Sequence, residues 1–249
     1  MDKKERIAKV MARAGLCSRR DAERWILEGR VIVNGKKLDS PAFTVGGADK
    51  IVVDGKALKA AEDTRLFLYH KPAGLVTTAK DERGRDTVFS TLPAEMGRVV
   101  SIGRLDLNTE GLLLLTNDGE LARHLELPST GWRRRYRVRV HGTVDTGKLQ
   151  ALEKGITVDG MNYKSIEATL ERQQGGANAW LNVVLTEGKN REVRKVMEAI
   201  GLNVNRLIRT HYGPFALGDL PPGAVQEVKP KVLQEQVGGF FKNSLKGIK

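Results

Sequence analysis

Cysteine is almost missing from this chain of 249 residues: Cys17 stands alone, which excludes an internal disulfide and any zinc site built from several cysteines. Histidine is scarce as well. His70, His124, His141 and His211 are dispersed, none pairs with another at helical spacing, and no metal is expected. Long apolar runs are lacking; the longest purely aliphatic stretch, Leu112 to Leu115, falls far short of the roughly 20 residues that span a bilayer, so no membrane partner is expected. The opening residues, Met1-Asp2-Lys3-Lys4-Glu5-Arg6, mix charges and lead into no apolar core or small-residue cleavage site, which predicts a cytoplasmic protein. There is no Walker-type glycine loop or dinucleotide fingerprint, so no cofactor is expected. No heptad seam or long apolar edge is visible either, and the chain reads as a monomer without an obligate protein partner.

What is abundant is positive charge. Lys and Arg number 42 against 30 Asp and Glu, a formal net charge of +12 that favours a polyanionic partner, with nucleic acid first in line. The length suggests a small module joined to a larger one. In residues 5–14, Ile7, Val10, Met11 and Ala14 recur at helical spacing, and Ser18 with Asp21 has the form of an N-cap opening a second short helix. Val31-Ile32-Val33-Asn34-Gly35 and Ile51-Val52-Val53-Asp54-Gly55 each read as a strand running into a tight turn. Residues 1–60 therefore form a compact module with 14 basic and 8 acidic residues, and Arg13, Arg19, Arg20, Arg24 and Arg30 are placed on its exposed helix faces. Such a run is either a solvated surface or a contact for RNA phosphates.

Residues 57–64 are small and polar and read as a linker; a larger domain, 61–232, follows. Its β-rich stretches (66–69, 99–102, 112–116, 136–140, 180–185) alternate with helical ones and predict a mixed, largely antiparallel sheet with flanking helices, an α+β fold overall. Residues 171–178 read as a Gly- and Gln-rich loop, and 233–249 as a flexible basic tail. Within the large domain, Gly103-Arg104-Leu105-Asp106-Leu107-Asn108-Thr109-Glu110-Gly111 is polar and turn-rich and feeds into the buried-strand pattern Leu112-Leu113-Leu114-Leu115-Thr116. Asn117-Asp118-Gly119 turns into a helix over 120–127 with Asp118 as its cap. Asp106 thus sits on a loop anchored at both ends, where a catalytic group needs no ordering at the moment of reaction. Taken without its context, an Asp before a strand is a turn or cap residue.

These segments carry two resemblances. Residues 15–22 through 29–35 resemble the S4 RNA-binding domain. Gly-Arg-Leu-Asp-x-x-Thr-x-Gly-Leu-Leu-Leu-Leu-Thr-Asn-Asp-Gly, at 103–119, resembles the signature of the RsuA family of pseudouridine synthases. That resemblance covers roughly residues 5–230 and implies isomerisation of uridine to pseudouridine with Asp106 as the indispensable carboxylate. Moving uracil from an N–C to a C–C bond at ribose C1′ requires abstraction of a sugar proton or a covalent adduct to sugar or base; a carboxylate can do either, and the residues do not choose between them. The conversion has no net redox change.

A second block, 185–197, runs from strand through a Gly turn into a basic helix and contains Lys189 and Arg194; the family resemblance assigns Arg194 to pair with the aspartate, while the plain reading is a surface salt bridge. The block reads Arg191-Glu192-Val193-Arg194 where related enzymes often carry Gln or His before the final arginine, which leaves Arg191 and Glu192 without an implied role. Tyr136 lies on a strand that holds Arg133, Arg134, Arg135, Arg137 and Arg139, five arginines in seven residues; its implied role is packing on the target base, compatible with a place among the inward valines Val138 and Val140. The uridine must leave its stack, and Arg104 is placed to fill the vacated space or to clamp a phosphate. Leu207 matches a hydrophobic position near the base and would otherwise be a core leucine. The S4-like module, the block 81–89 and the block 132–140 are most similar to the large-subunit branch, which implies 23S ribosomal RNA near the peptidyl-transferase centre as the partner. A 16S target, or a non-enzymatic RNA-binding protein of ribosome assembly, are the alternatives.

Overall fold

The computed structural model describes residues 4–246, with the backbone alone for Gln174 and 242–246. The chain opens with β1 (Glu5–Arg6), α1 (Ile7–Arg13) and α2 (Arg19–Leu27), then β2 (Val31–Val33), β3 (Lys36–Lys37), β4 (Thr44–Val45), β5 (Ile51–Val53) and β6 (Lys56–Ala57). The Ser18 hydroxyl accepts the Asp21 N–H at 3.0 Å and starts α2. Asn34-Gly35 and Asp54-Gly55 both have positive φ at each position, the conformation a two-residue hairpin needs, which is why Asn-Gly and Asp-Gly close β2–β3 and β5–β6. Ile7, Met11, Ala22, Ile26, Val31, Val33 and Val53 form one buried cluster with their neighbours.

The larger part continues with β7 (Leu66–Lys71), β8 (Val100–Ile102), β9 (Thr109–Thr116), α3 (Gly119–Glu126), β10 (Arg134–His141), α4 (Thr146–Ala151), β11 (Ile156–Val158), β12 (Met161–Tyr163), β13 (Ile166–Gln174), β14 (Asn178–Leu185), α5 (Glu192–Ala199), β15 (Asn203–Tyr212), β16 (Phe215–Ala216), β17 (Val225–Glu227) and α6 (Pro230–Lys246). Among the described residues, nine strands make one sheet in the order β13-β14-β10-β15-β9-β7-β17, with β16 on β15 and β8 on β9. Its ladders are antiparallel except β15–β9, where Leu207 lies beside Thr109 and Arg209 beside Gly111. The fold is α+β, with a mixed, largely antiparallel sheet. β9 is apolar from Leu112 to Leu115 because both its faces are covered there: Leu112 and Leu114 join one cluster, Leu113 and Leu115 the other. No helix among the described residues is long and apolar enough to cross a membrane.

Four expectations change. β9 begins at Thr109, so 109–111 belong to the sheet and not to the loop. β13 runs to Gln174 and pairs Gln174 with Asn178; as an edge strand it tolerates polar side chains, and the connection shrinks to 175–177. The residues expected as a flexible tail are helical to Lys246, while 247–249 lie outside the described residues. Leu233 and Val237 are buried and Phe240 and Phe241 pack beside them, an apolar stripe that persists through a kink at Val237 (φ −124°, ψ 24°) before Gly238-Gly239. The N-terminal arginines are not one exposed face either. Arg13 binds Thr64 Oγ1 at 3.0 Å and Asp118 at 3.3 Å, Arg24 pairs with Asp21, and Arg30 pairs with Asp54; Arg19 and Arg20 are exposed and unpaired among the described residues.

Candidate active site

The site begins with a turn whose backbone is held at every step. Gly103 leaves β8 at φ +70° and its N–H donates to Glu126 at 2.7 Å. Leu105 is buried and tied twice to Thr77: the hydroxyl donates to its carbonyl at 2.9 Å and accepts its N–H at 3.3 Å. The Asp106 carbonyl accepts the Thr109 N–H at 3.0 Å, and the Leu107 carbonyl accepts from the Gly74 N–H at 2.9 Å and from Lys71 Nζ at 3.2 Å. Arg194 Nη2 donates to the Asn108 carbonyl at 3.0 Å, and Lys71 Nζ donates to that of Thr109 at 2.9 Å. Five consecutive carbonyls, 105–109, are therefore occupied. The Asp106 carboxylate takes part in no hydrogen bond or ion pair among the described residues, so the loop is fixed by its main chain while the acid's side chain faces the cavity.

Lys71 and Arg194 surround that acid with charge from behind. Lys71 is 0% exposed, and burial pulls its ammonium down to about 8 against the opposing pull of Asp106 and Glu110. Burial, and then the like charge of Arg191, likewise lowers the Arg194 guanidinium, which Asp106 offsets. Asp106 opens onto a cavity of about 710 Å³ between the 103–109 loop, β10, β15 and the turn before α5. The parallel β15–β9 ladder puts Leu207 next to Thr109, and β10 on the other side of β15 adds Tyr136, so an aromatic and an aliphatic side chain line the wall near the acid. Tyr212 also lines the cavity and has two guanidiniums over its ring, Arg134 at 4.8 Å and Arg209 at 5.0 Å. Its hydroxyl accepts from Arg134 Nη2 and donates to the Leu125 carbonyl, both at 3.0 Å.

Residues 65–199 match the family described as RNA pseudouridylate synthase, and residues 5–60 match the S4 domain. Over 231 residues the chain is 48% identical to an uncharacterized RNA pseudouridine synthase of Rickettsia felis, covering 93% of this chain and 100% of that one. Over 236 residues it is 44% identical to the ribosomal large subunit pseudouridine synthase B of Yersinia pestis, covering 91% of this chain and 73% of that one. The chain belongs to the RNA pseudouridylate synthase family. A crystal structure of a pseudouridylate synthase superposes with a TM-score of 0.65 at 26% identity, over 93% of this chain and 99% of that one. The synthase accordingly acts on RNA, through an S4 domain and an α+β catalytic fold.

Of the residues singled out in the sequence, the synthase gathers Arg104, Asp106, Arg134, Tyr136, Lys189 and Leu207 around one cavity. Arg194 stands behind the wall and reaches the loop through Asn108; no ion pair joins it to Asp106 among the described residues. Arg133 is exposed and paired with Glu167, and Arg135 is exposed on the same strand. Arg19 and Arg20 lie on α2, away from the cavity lining. Sequence reasoning missed Lys71, Arg209 and Glu187, and it singled out Glu192 without giving it a role. Lys71 had a signal: it shares strand parity with the buried Phe67 and Tyr69, where a lysine is costly unless it has partners. Arg209 had the same one, falling in register with Leu207.

Proposed function

We propose that the protein converts a uridine of 23S ribosomal RNA to pseudouridine, with Asp106 as the catalytic carboxylate. The observation that carries this reading is the contrast at the loop: every carbonyl from 105 to 109 is bonded, while the carboxylate between them has no partner among the described residues and faces a basic cavity. A preorganised, unpartnered acid suits attack on, or proton removal from, the ribose of a nucleotide swung out of its stack. Tyr136 and Leu207 offer the flipped base an apolar bed, and Arg104, at the exposed lip, fills the place the base leaves. Arg134 and Lys189 meet the phosphates near the reacting nucleotide, with Arg133 and Arg135 continuing along β10 and Arg19 and Arg20 on the S4 domain holding more distant RNA. Arg194 works through the main chain, keeping Asp106 aimed at the cavity. The large-subunit target is supported by the likeness to a large-subunit synthase and by the S4 domain.

The test is pseudouridine mapping of both ribosomal RNAs from cells lacking the protein, complemented with wild type or Asp106→Asn. One large-subunit site is expected to vanish and to return only with wild type. Loss of a 16S site instead would move the target to the small subunit. Restoration by Asp106→Asn would remove Asp106 from the chemistry and favour a non-enzymatic role in ribosome assembly.

A further inference from the structure

Glu192, the first residue of α5, is only 3% exposed. Its Oε2 accepts the Lys189 N–H at 2.9 Å, while its own N–H donates to the Lys189 carbonyl at 3.2 Å. Between them Arg191 is held in the left-handed region (φ 53°, ψ 30°), so the 189–192 turn is tight and rests on that side chain. The other oxygen, Oε1, is buried and receives no donor among the described residues. Beside it stands Glu187, whose own oxygens are committed: Oε1 accepts the Lys164 N–H at 2.7 Å, and Oε2 pairs with Lys189 Nζ at 3.0 Å.

Two ionised carboxylates have no hydrogen to share, and an unsatisfied buried oxygen is expensive. One proton on Oε1 of Glu192, donated to Glu187, satisfies both. We propose that Glu192 is a positioning residue of the synthase that works as the neutral acid, bridging to Glu187 and thereby closing the 187–192 turn at the edge of the Asp106 cavity. The closed turn presents Lys189 and Arg191 to the cavity and seats the first turn of α5, from which Arg194 reaches the Asn108 carbonyl. The role rests on the reading of this cavity as the uridine site.

The electrostatics agree with the geometry. Burial, and then the charge and hydrogen bond of Glu187, raise the Glu192 carboxyl to about 7. Glu187 is held low, because its hydrogen bonds from Lys164 and Lys189 outweigh its burial. The other charged groups around the pair are Lys189 and Arg191 on the same turn, Lys164 after the β11–β12 hairpin, Arg134 on β10, Arg194 on α5 and Asp106 across the cavity. Since the raised group is an acid, its neutral form is complete well below its midpoint and is lost as pH rises through it; the turn is closed at low pH and loosened above neutrality.

The experiment is single-turnover pseudouridine formation on a large-subunit rRNA fragment from pH 5.5 to 9, with wild type, Glu192→Gln and Glu192→Ala, alongside carboxyl ¹³C NMR of glutamate-labelled protein. The wild-type rate is expected to fall about tenfold per pH unit above a midpoint near neutrality. Glutamine mimics the protonated acid, so Glu192→Gln should come within about threefold of the low-pH wild-type rate and lack the alkaline limb, whereas Glu192→Ala should lose about a hundredfold at every pH. The NMR titration should contain one glutamate with a raised midpoint that is missing from Glu192→Gln. A folded Glu192→Gln that keeps the alkaline limb, or that is as slow as Glu192→Ala, overturns the proposal. So does an ordinary midpoint for every glutamate. Wild type that forms no pseudouridine in either rRNA overturns the functional reading and the role with it, even if the raised midpoint is present.

Discussion

Arg194 and Asn108 are joined across 86 residues by a 3.0 Å hydrogen bond from Nη2 to the carbonyl oxygen, while Nη1 holds the Val204 carbonyl at 3.0 Å. One planar guanidinium thus ties the Asp106 loop to β15. A lysine has one ammonium and cannot reproduce that fork. Arg194→Lys is expected to lower kcat about tenfold with little change in KM, and Arg194→Met to lower it about a hundredfold, because what is lost is the aim of the acid and not RNA affinity. Steady-state kinetics on an rRNA fragment decide this. A full kcat in Arg194→Lys would mean that a positive charge near Asp106 is sufficient and the two carbonyl bonds are incidental.

Lys71 anchors the same loop as well, with Nζ donating to the carbonyls of Pro72, Leu107 and Thr109 at 3.0, 3.2 and 2.9 Å. Hydrogen bonds from a charged donor contribute about 1.5–3 kcal/mol each, and buried carbonyls left bare are costly. Lys71→Met, close in volume, is therefore expected to destabilise the fold by about 3 kcal/mol, or roughly 6–12 °C in Tm for a chain of this size, and to reduce kcat as the loop relaxes. Thermal unfolding of purified variant and wild type measures it. An unchanged Tm would show that the ammonium and its three carbonyls contribute nothing beyond volume.

Much of this arrangement was legible in the sequence, for physical reasons that also mark the limit. The Asn34-Gly35 and Asp54-Gly55 turns, the Ser18 and Asp118 caps and the double-sided burial of Leu112 to Leu115 are local or nearest-neighbour effects, and each is written in adjacent residues. So was the gathering of Asp106, Tyr136 and Leu207, which the family pattern implied. What could not be read is what depends on distant partners. Nothing beside Arg194 announces Asn108, nothing beside Arg13 announces Asp118, and the Glu192 carboxyl is unusual only because the fold buries it beside Glu187. Helix α6 was hidden because Gly238-Gly239 interrupts a stripe whose value lies in the cluster it covers.

Gly111 is expected to be intolerant of any side chain. Its φ is +102°, and a Cβ built there would sit 2.3 Å from the Arg209 carbonyl oxygen and 2.7 Å from the Arg209 nitrogen. That close approach is what allows the parallel ladder of β9 with β15. Gly111→Ala must push the two backbones apart, pulling Thr109 from Leu207 and opening the wall behind Asp106. A loss of at least about 3 kcal/mol, or failure to accumulate folded protein, is expected from the clash and the positive φ together. Gly15, also at positive φ, meets nothing within 4 Å, so Gly15→Ala should show only the backbone strain, about 1 kcal/mol. Equal effects of the two substitutions in denaturant unfolding would refute the steric account.

Arg19 and Arg20 differ from Arg13, Arg24 and Arg30 in having no acidic partner among the described residues, which leaves their charge available to a phosphate. A guanidinium already neutralised by Asp21 or Asp54 releases few counterions on meeting a phosphate, whereas an unpaired one releases close to its full share. The double variant Arg19→Gln/Arg20→Gln is therefore expected to weaken rRNA binding at low salt by about tenfold and to reduce the slope of log K against log salt by about 1–2. Its kcat should be unchanged and its KM raised, since both side chains lie away from the cavity. Arg24→Gln, which removes a partner of Asp21, should leave the slope as it is. Filter binding across a salt series with all three proteins measures this directly. If Arg24→Gln lowered the slope as much as the double variant, charge anywhere on α2 would count equally, and the unpaired arginines would have no special place in RNA recognition.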